Sequence, residues 1–200
     1  MMVVALASSV ASAGAQDPRM PAKLDSPSQA AIKAIVDSAK AQGIPIEPLY
    51  QTVAEGQAKG ADGPRIVTAV RNLSLEMASA HKAMGTVATV DELKAAASAM
   101  HAGVPAVELG KLKKQSRLRS LATPFTVLAD LVSRGVPVTT AANAIRSLMG
   151  AGAKDQDIND FQRNVKVDID QGAPPAAAAE TRAKSTQKPD KPDQPEQVDR

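Results

Sequence analysis

The sequence predicts an all-α fold: an irregular bundle or short solenoid of about eight short helices joined by Gly-x-Pro turns, with disordered termini. Apolar side chains recur with the 3.6-residue period of an amphipathic helix through most of residues 27–175, the predicted helical domain. Glycines divide this domain at intervals that suit short helices. Alternating β-branched runs bounded by hairpin turns, which would indicate strands, are nearly absent.

Seven glycines lie where a helix is expected to end, because glycine readily adopts the left-handed conformation that closes a helix. Three of them begin a Gly-Ile-Pro or Gly-Val-Pro phrase, and Gly172-Ala173-Pro174 is a weaker copy. Proline suits the first turn of a helix, while the residue before it disfavours the helical conformation. Each phrase therefore predicts that one helix ends and the next begins. The predicted architectural residues are Gly43, Pro45, Gly60, Gly103, Pro105, Gly135, Pro137, Gly152 and Gly172, and Gly85 is the remaining helix-ending glycine.

Other helices carry signals of their own. The longest apolar stripe covers residues 66–84, stepping by four and three residues. Thr89 and Glu92 form a predicted capping box, which marks the start of a helix. Asp62 and Thr123 stand before prolines and mark two further starts.

The spacing of the glycines leaves two architectures open. A step of 17 residues recurs and suggests degenerate pairs of helices, and a period in the thirties is typical of several helical repeat families. The marker residues of tetratricopeptide and ankyrin repeats are absent. Other steps reach 25 and 32 residues, and this unevenness favours the irregular bundle over the solenoid.

One phrase of the sequence carries a resemblance. Gly43-Ile44-Pro45 is followed by Glu-Gly-Gln-Ala-Lys-Gly at 55–60 and Pro-Arg-Ile-Val at 64–67. This phrasing resembles uncharacterised exported bacterial proteins rich in short helices linked by Gly-Val-Pro or Gly-Ile-Pro. The resemblance covers mainly residues 43–73, implies a shared architecture, and brings no activity with it.

The N-terminal residues predict export to the periplasm or the cell exterior. Residues 1–11 are small and apolar, and small-x-small patterns that suit signal peptidase end at Ala13 and Ala15. We predict a signal peptide over residues 1–15 and a linker over 16–26. No basic residue precedes Arg19, so either the start lies upstream or the signal is atypical. The alternatives are a disordered apolar tail or the first turn of a membrane helix.

The C-terminal residues 176–200 predict a disordered tail. Prolines recur there at every third position among charges of both signs, a composition that favours extended, solvated backbone. The predicted domain therefore ends at residue 175.

Composition excludes several functions. The chain has no cysteine, which rules out disulfides, thiolate metal sites and cysteine nucleophiles. The chain has only three aromatic residues, and alanine dominates its apolar composition, so we expect close helix packing and modest stability. A net charge of +3 is too small to imply nucleic acid, and we expect no specific nucleic-acid partner.

A basic stretch over residues 111–119 is the most unusual charge feature. It holds five basic residues and no acidic residue, with leucines between them at helical spacing. One interpretation is a site for an anionic polymer or a membrane surface. The alternative is a solvated helix face, or cations that stabilise a helix C-terminus. The candidate anion-binding residues are Lys111, Lys113, Lys114, Arg117 and Arg119.

Neither a metal site nor an active site is predicted, and we expect no cofactor. His81 and His101 fall on different predicted helices without carboxylates at ligand spacing. Acids such as Glu47 and Glu108 lie singly in first helical turns, where the helix dipole accounts for them. Nucleophile elbows, phosphate loops and dinucleotide glycine patterns are absent.

The leading hypothesis from sequence is therefore an exported, non-enzymatic module that presents helical grooves to an unknown protein partner in the cell envelope. Binding of an anionic surface through residues 111–119 is the second hypothesis. An enzyme that gathers carboxylates from distant helices is the third. The oligomeric state stays open.

Overall fold

The computed structural model describes residues 24–85, 88–116 and 120–187, and within these ranges it is all-helical, which confirms the predicted fold class. The predicted signal peptide lies outside the described residues, as does most of the linker. Nine helices are present in the described part of the chain: α1 (Ser26–Ala41), α2 (Glu47–Ala58), α3 (Gly63–Met84), α4 (Val90–His101), α5 (Ala106–Gln115), α6 (Ala122–Ser133), α7 (Val138–Gly150), α8 (Asp155–Asp170) and α9 (Pro175–Gln187).

The predicted helix-ending glycines all have positive φ and follow helix C-termini. The end of α4 shows the geometry: Gly103 N–H donates to the Met100 carbonyl and Val104 N–H to the Ala99 carbonyl, both at 2.9 Å. These two bonds define a Schellman motif, which satisfies carbonyls that the helix leaves free. Val104 is buried, so the middle residue of the Gly-Val-Pro phrase anchors the turn in the core.

The prolines of these phrases lie one step earlier than the sequence suggested. Pro105 and Pro137 are N-cap residues with extended backbone, at φ −65° and −55°, and are not part of the first helical turn. Their carbonyls accept the first bonds of the next helix, from Glu108 and Ala141 at 2.9 Å. Pro45 lies before the N-cap of α2, which is Ile46. Proline thus fixes the approach to the helix.

The predicted helix starts are confirmed at two places and displaced at a third. Asp62 caps α3 by accepting a bond from Arg65 N–H, and Thr89 and Glu92 form both bonds of a capping box. Thr123, in contrast, lies inside α6, whose N-cap is Leu121. The reason is tertiary, because the N–H of Leu121 is bound by the Glu92 carboxylate of α4 at 2.8 Å.

The helices pack as two rows. In one row α1, α3, α5, α7 and α9 contact one another in succession, and α4, α6 and α8 do so in the other. The rows join where α3 packs on α4, α6 on α7 and α8 on α9. From α3 onward each helix packs on the next but one, as in a short solenoid, which is one of the two architectures that the sequence left open, while α2 packs on α3. The 25-residue step between Gly60 and Gly85 reflects the 22-residue length of α3, and the 32-residue step between Gly103 and Gly135 holds two helices, α5 and α6.

The core runs between the two rows and is made mainly of leucine, valine and alanine, with three buried aromatic rings, of which Tyr50 lies on α2. Phe125 and Phe161 are fully buried on α6 and α8. Elsewhere the core is filled by helices that pack closely and not by large side chains. A Cβ added to Gly56 of α2 would come 2.7 Å from Cγ1 of Ile66 of α3. Small residues thus let the backbones pack closely, as the composition predicts.

The helical domain extends beyond residue 175, so the predicted tail boundary at 176 is wrong. Ala178, Ala179 and Ala183 are buried where α9 packs on α7 and α8. Arg182 donates two bonds of 2.6 Å to the Asp168 carboxylate of α8. The alanines that lead into the charged segment therefore form the last helix of the row, and residues 188–200 lie outside the described part.

Candidate interaction surfaces

The described part of the predicted anion-binding stretch, which begins at Lys111, lies at the C-terminal end of α5 and is partly neutralised. Lys111 Nζ lies 2.6 Å from one carboxylate oxygen of Glu108, and Arg146 of α7 lies 3.2 Å from the other. The hydrogen bond from Lys111 lowers the pKa of Glu108, against the opposing effect of burial, and the charge of Arg146 lowers it further. Glu108, one turn before Lys111, thus holds two cations as well as facing the helix dipole.

The rest of the stretch divides between structural and exposed positions. Lys113 is half-buried, and its ammonium points toward Gly85 at the end of α3, where a cation complements the helix dipole. Lys114 is exposed and has no ion pair with a described residue. Arg117 and Arg119 lie outside the described residues. The structure therefore does not bring the five candidate cations into one described cluster.

A groove of about 620 Å³ lies between α2 and α3 and ends at His101 of α4. His101 Nδ1 lies 2.8 Å from Glu76 Oε1. This pair is 25 positions apart in sequence, so local spacing gave no signal of it. The polar rim of the groove carries charges of both signs, because Asp62 and Arg65 lie side by side there. The groove is lined by Thr52, Asp62, Pro64, Arg65, Thr68, Ala69, Asn72, Leu73, Glu76 and His101.

The histidines do not form a metal site with any described residues. His81 and His101 lie on α3 and α4, as the sequence indicated. Within residues 24–85, 88–116 and 120–187, no three histidine or carboxylate side chains come close enough to hold an ion. His81 Nδ1 is a buried atom without a hydrogen-bonding partner in that part of the chain. His81 lines a depression together with Leu75 and Lys82.

The one buried carboxylate of the described core is Glu92, and its bonds give it a structural role. It accepts hydrogen bonds from the backbone N–H of Thr89 at 2.9 Å and of Leu121 at 2.8 Å. Burial raises the pKa of Glu92, but the bonds from Thr89, Leu121 and Ser120 lower it by more, so the net pKa is below the ordinary value. An ionised carboxylate held by several donors is a poor general base, because it is stabilised against accepting a proton.

A second groove, between α1 and α3, carries a large exposed apolar side chain. Two adjoining depressions of about 460 and 350 Å³ share Gln42, Leu75 and Ala78. Leu75 is 61% exposed and projects from the middle of α3. Alanines, serines and two isoleucines form the floor: Ala31, Ala34, Ile35, Ser38, Ile44, Ser74, Ala78 and Ser79. We call this surface the α1–α3 groove.

The charges at the α1–α3 groove are all positive. Arg71 and Lys82 are exposed on α3, one near each end of the groove, and no carboxylate is among its lining residues. Neither cation forms an ion pair with another described residue. The predicted stripe of α3 covers the buried positions from Ile66 to Met84, and Leu75 lies off it. That departure from the stripe is the signal that could have located the groove.

Comparison with protein-family models, curated proteins and solved structures finds no match to this chain. Among the described helices, none is both long enough and apolar enough to cross a membrane.

Proposed function

We propose that the chain is an exported, non-enzymatic helical module that binds another protein of the cell envelope. The observation that carries this proposal is the α1–α3 groove, where Leu75 is exposed beside alanines, serines and two isoleucines. Exposed apolar surface that is shaped as a groove is costly in water and is typical of a protein-binding site. The resemblance of residues 43–73 to exported proteins supports the same proposal.

The non-enzymatic part of the proposal rests on the states of the titratable side chains. Glu92 is engaged by backbone donors, and Glu108 is held by Lys111 and Arg146. Glu76 is held by His101 at the rim of an open groove. A catalytic centre needs an acid or base directed at a substrate in a water-excluding site.

The protein-binding proposal is tested by a photo-activated cross-linking amino acid placed at Leu75 in the full chain. Irradiation in the native envelope is expected to give one reproducible adduct with another protein. Val107 of α5 is the matched control, because it is 63% exposed and lies outside the α1–α3 groove. Equal yields from both positions, or no adduct at Leu75, would reject the proposal.

The export proposal has a separate test. The mass of the intact protein isolated from the envelope fraction should correspond to cleavage after Ala13 or Ala15. A full-length mass, or recovery only from the cytoplasm, would contradict export.

Binding of an anionic surface through the basic stretch is the second candidate, and Lys114 favours it as an exposed cation without an ion pair to a described residue. Binding to anionic vesicles should then weaken with added salt and with Lys113→Ala/Lys114→Ala. If the double variant binds as tightly as the parent, this candidate is wrong.

A further inference from the structure

We infer that the α1–α3 groove receives an amphipathic helix of a partner protein, with an apolar stripe that is flanked by carboxylates. The inference rests on the proposed protein-binding function and adds the chemistry of the bound element. Three features of the groove carry it: its length, its floor and its charge.

The length of the groove matches a short helix. Along α1 and its C-cap residue the lining residues run from Ala31 to Gln42, and on α3 from Arg71 to Lys82. Each run covers 11 residue steps, which at 1.5 Å per residue is about 16 Å, or three helical turns. Since α1 and α3 pack side by side, a third helix can lie along the seam between them. A partner helix of about three to four turns would fill it.

The floor of the groove favours close approach of a helix. Ala31, Ala34 and Ala78 have short side chains, so a helix backbone can come near both α1 and α3. Ile35 and Leu75 offer the larger apolar contacts. The matching surface is a stripe of leucine and alanine with helical spacing, the usual helix-in-groove arrangement.

The positive charge of the groove favours a partner helix that has carboxylates beside its apolar stripe. Arg71 and Lys82 both lie on α3, and the groove has no lining carboxylate to neutralise them. Carboxylates beside the apolar stripe of the partner would meet a cation near each end of the groove. A second copy of this chain fits poorly, because a symmetric contact through this groove would bring the same two cations against each other.

A concave seam also favours a helix over a lipid surface. A bilayer surface is broad, and it cannot follow a groove about 16 Å long between two packed helices. Membrane binding through Leu75 and the two cations is nevertheless a separate outcome that the experiment distinguishes.

The test uses three synthetic helical peptides of about 14 residues that share one leucine-alanine stripe. Their flanking positions carry glutamate, glutamine or lysine. Binding to the full chain is measured by fluorescence anisotropy at low and at high salt. We expect the glutamate peptide to bind at least about tenfold more tightly than the lysine peptide at low salt, with a smaller difference at high salt.

Variants of the chain then place the peptide in the groove. Arg71→Glu/Lys82→Glu should reverse the preference, so that the lysine peptide binds more tightly. Arg65→Glu is the matched control. Arg65 is also an exposed arginine of α3, but it lines the groove between α2 and α3. Leu75→Gln should weaken all three peptides. Circular dichroism and thermal unfolding show that each variant is folded.

The outcomes separate this inference from the function on which it rests. Equal affinity for the glutamate and lysine peptides, or an unreversed preference in the double variant, would overturn the inference. Binding of anionic vesicles that depends on Leu75, Arg71 and Lys82, without binding of the glutamate peptide, would also overturn it. A partner cross-linked at Leu75 would still support the proposed function in either case, whereas no cross-link would reject that function itself.

Discussion

The carboxylate of Glu92 joins the N-terminal ends of two helices. Within α4 it completes the capping box with Thr89, and across the core it accepts the N–H of Leu121 at the start of α6. The sequence predicts the first role, because the capping box is a local pattern of four residues. It could not predict the second, since Leu121 is 29 positions away and meets Glu92 only when α4 packs on α6.

Glu92→Gln should destabilise the chain by about 1–3 kcal/mol at neutral pH, because an amide cannot replace a carboxylate that accepts several bonds. The folded-state pKa of Glu92 is lowered, so its contribution is present above the ordinary pKa of about 4.5. That contribution is lost as the pH falls through the lowered value. Urea unfolding of parent and variant should therefore show a difference in unfolding free energy that is smaller at about pH 3 than at pH 7.

Glu55→Gln is the control for this prediction, because Glu55 is exposed on α2. It should leave the unfolding free energy unchanged within about 0.5 kcal/mol. A gap between the Glu92→Gln variant and the parent that stayed constant with pH would contradict the role assigned to the carboxylate.

Two helical glycines should respond in opposite ways to alanine. A Cβ at Gly56 meets Ile66 at 2.7 Å, so Gly56→Ala should cost about 1–3 kcal/mol by overpacking α2 against α3. A Cβ at Gly110 meets nothing within 4 Å, and Gly110→Ala should stabilise α5 by about 0.5–1 kcal/mol. Urea unfolding measures both changes. Stabilisation by both substitutions would show that α2 and α3 are not closely packed at Gly56.

At the scale of the helices, the sequence predicts where they end better than where they begin. Gly103 and Val104 close α4 through bonds to the preceding turn, so the stop signal is local. The start of α6 depends on a bond from another helix, and Thr123 was misplaced for that reason. Helix α9 was missed because its alanines gain helical order by packing on α7 and α8. Its own sequence has little amphipathic pattern.

Truncation tests the assignment of α9. Removal of residues 188–200 should leave the melting temperature unchanged, whereas removal of 175–200 should lower it by several degrees. The second deletion exposes the apolar faces of α7 and α8 and removes the bonds between Arg182 and Asp168. Each kcal/mol lost lowers the melting temperature of a chain of this size by about 2–4 °C. Equal melting temperatures for the two truncated chains, measured by calorimetry, would contradict the assignment.

At the scale of the whole molecule, alternate helices stack into two rows and leave the α1–α3 groove open. Which helices stack was not predictable from sequence, because the uneven glycine spacing is set by helix length as well as by topology. The groove combines residues from two helices, so it emerges only from the packing of α1 on α3. Packing also changes the predicted basic stretch. Glu108 and Arg146 form an ion pair beside it, and neither residue belongs to its sequence pattern.

Binding through the α1–α3 groove is tested by the affinity of the partner captured at Leu75 for two variants, Leu75→Glu and Val107→Glu. Both side chains are more than half exposed, at 61% and 63%, so neither change should alter the unfolding free energy by more than about 0.5 kcal/mol. We expect Leu75→Glu to weaken binding at least about tenfold, because a central apolar contact is lost. Val107→Glu should bind like the parent. Equal affinity of the two variants would contradict the claim that the α1–α3 groove is the binding site.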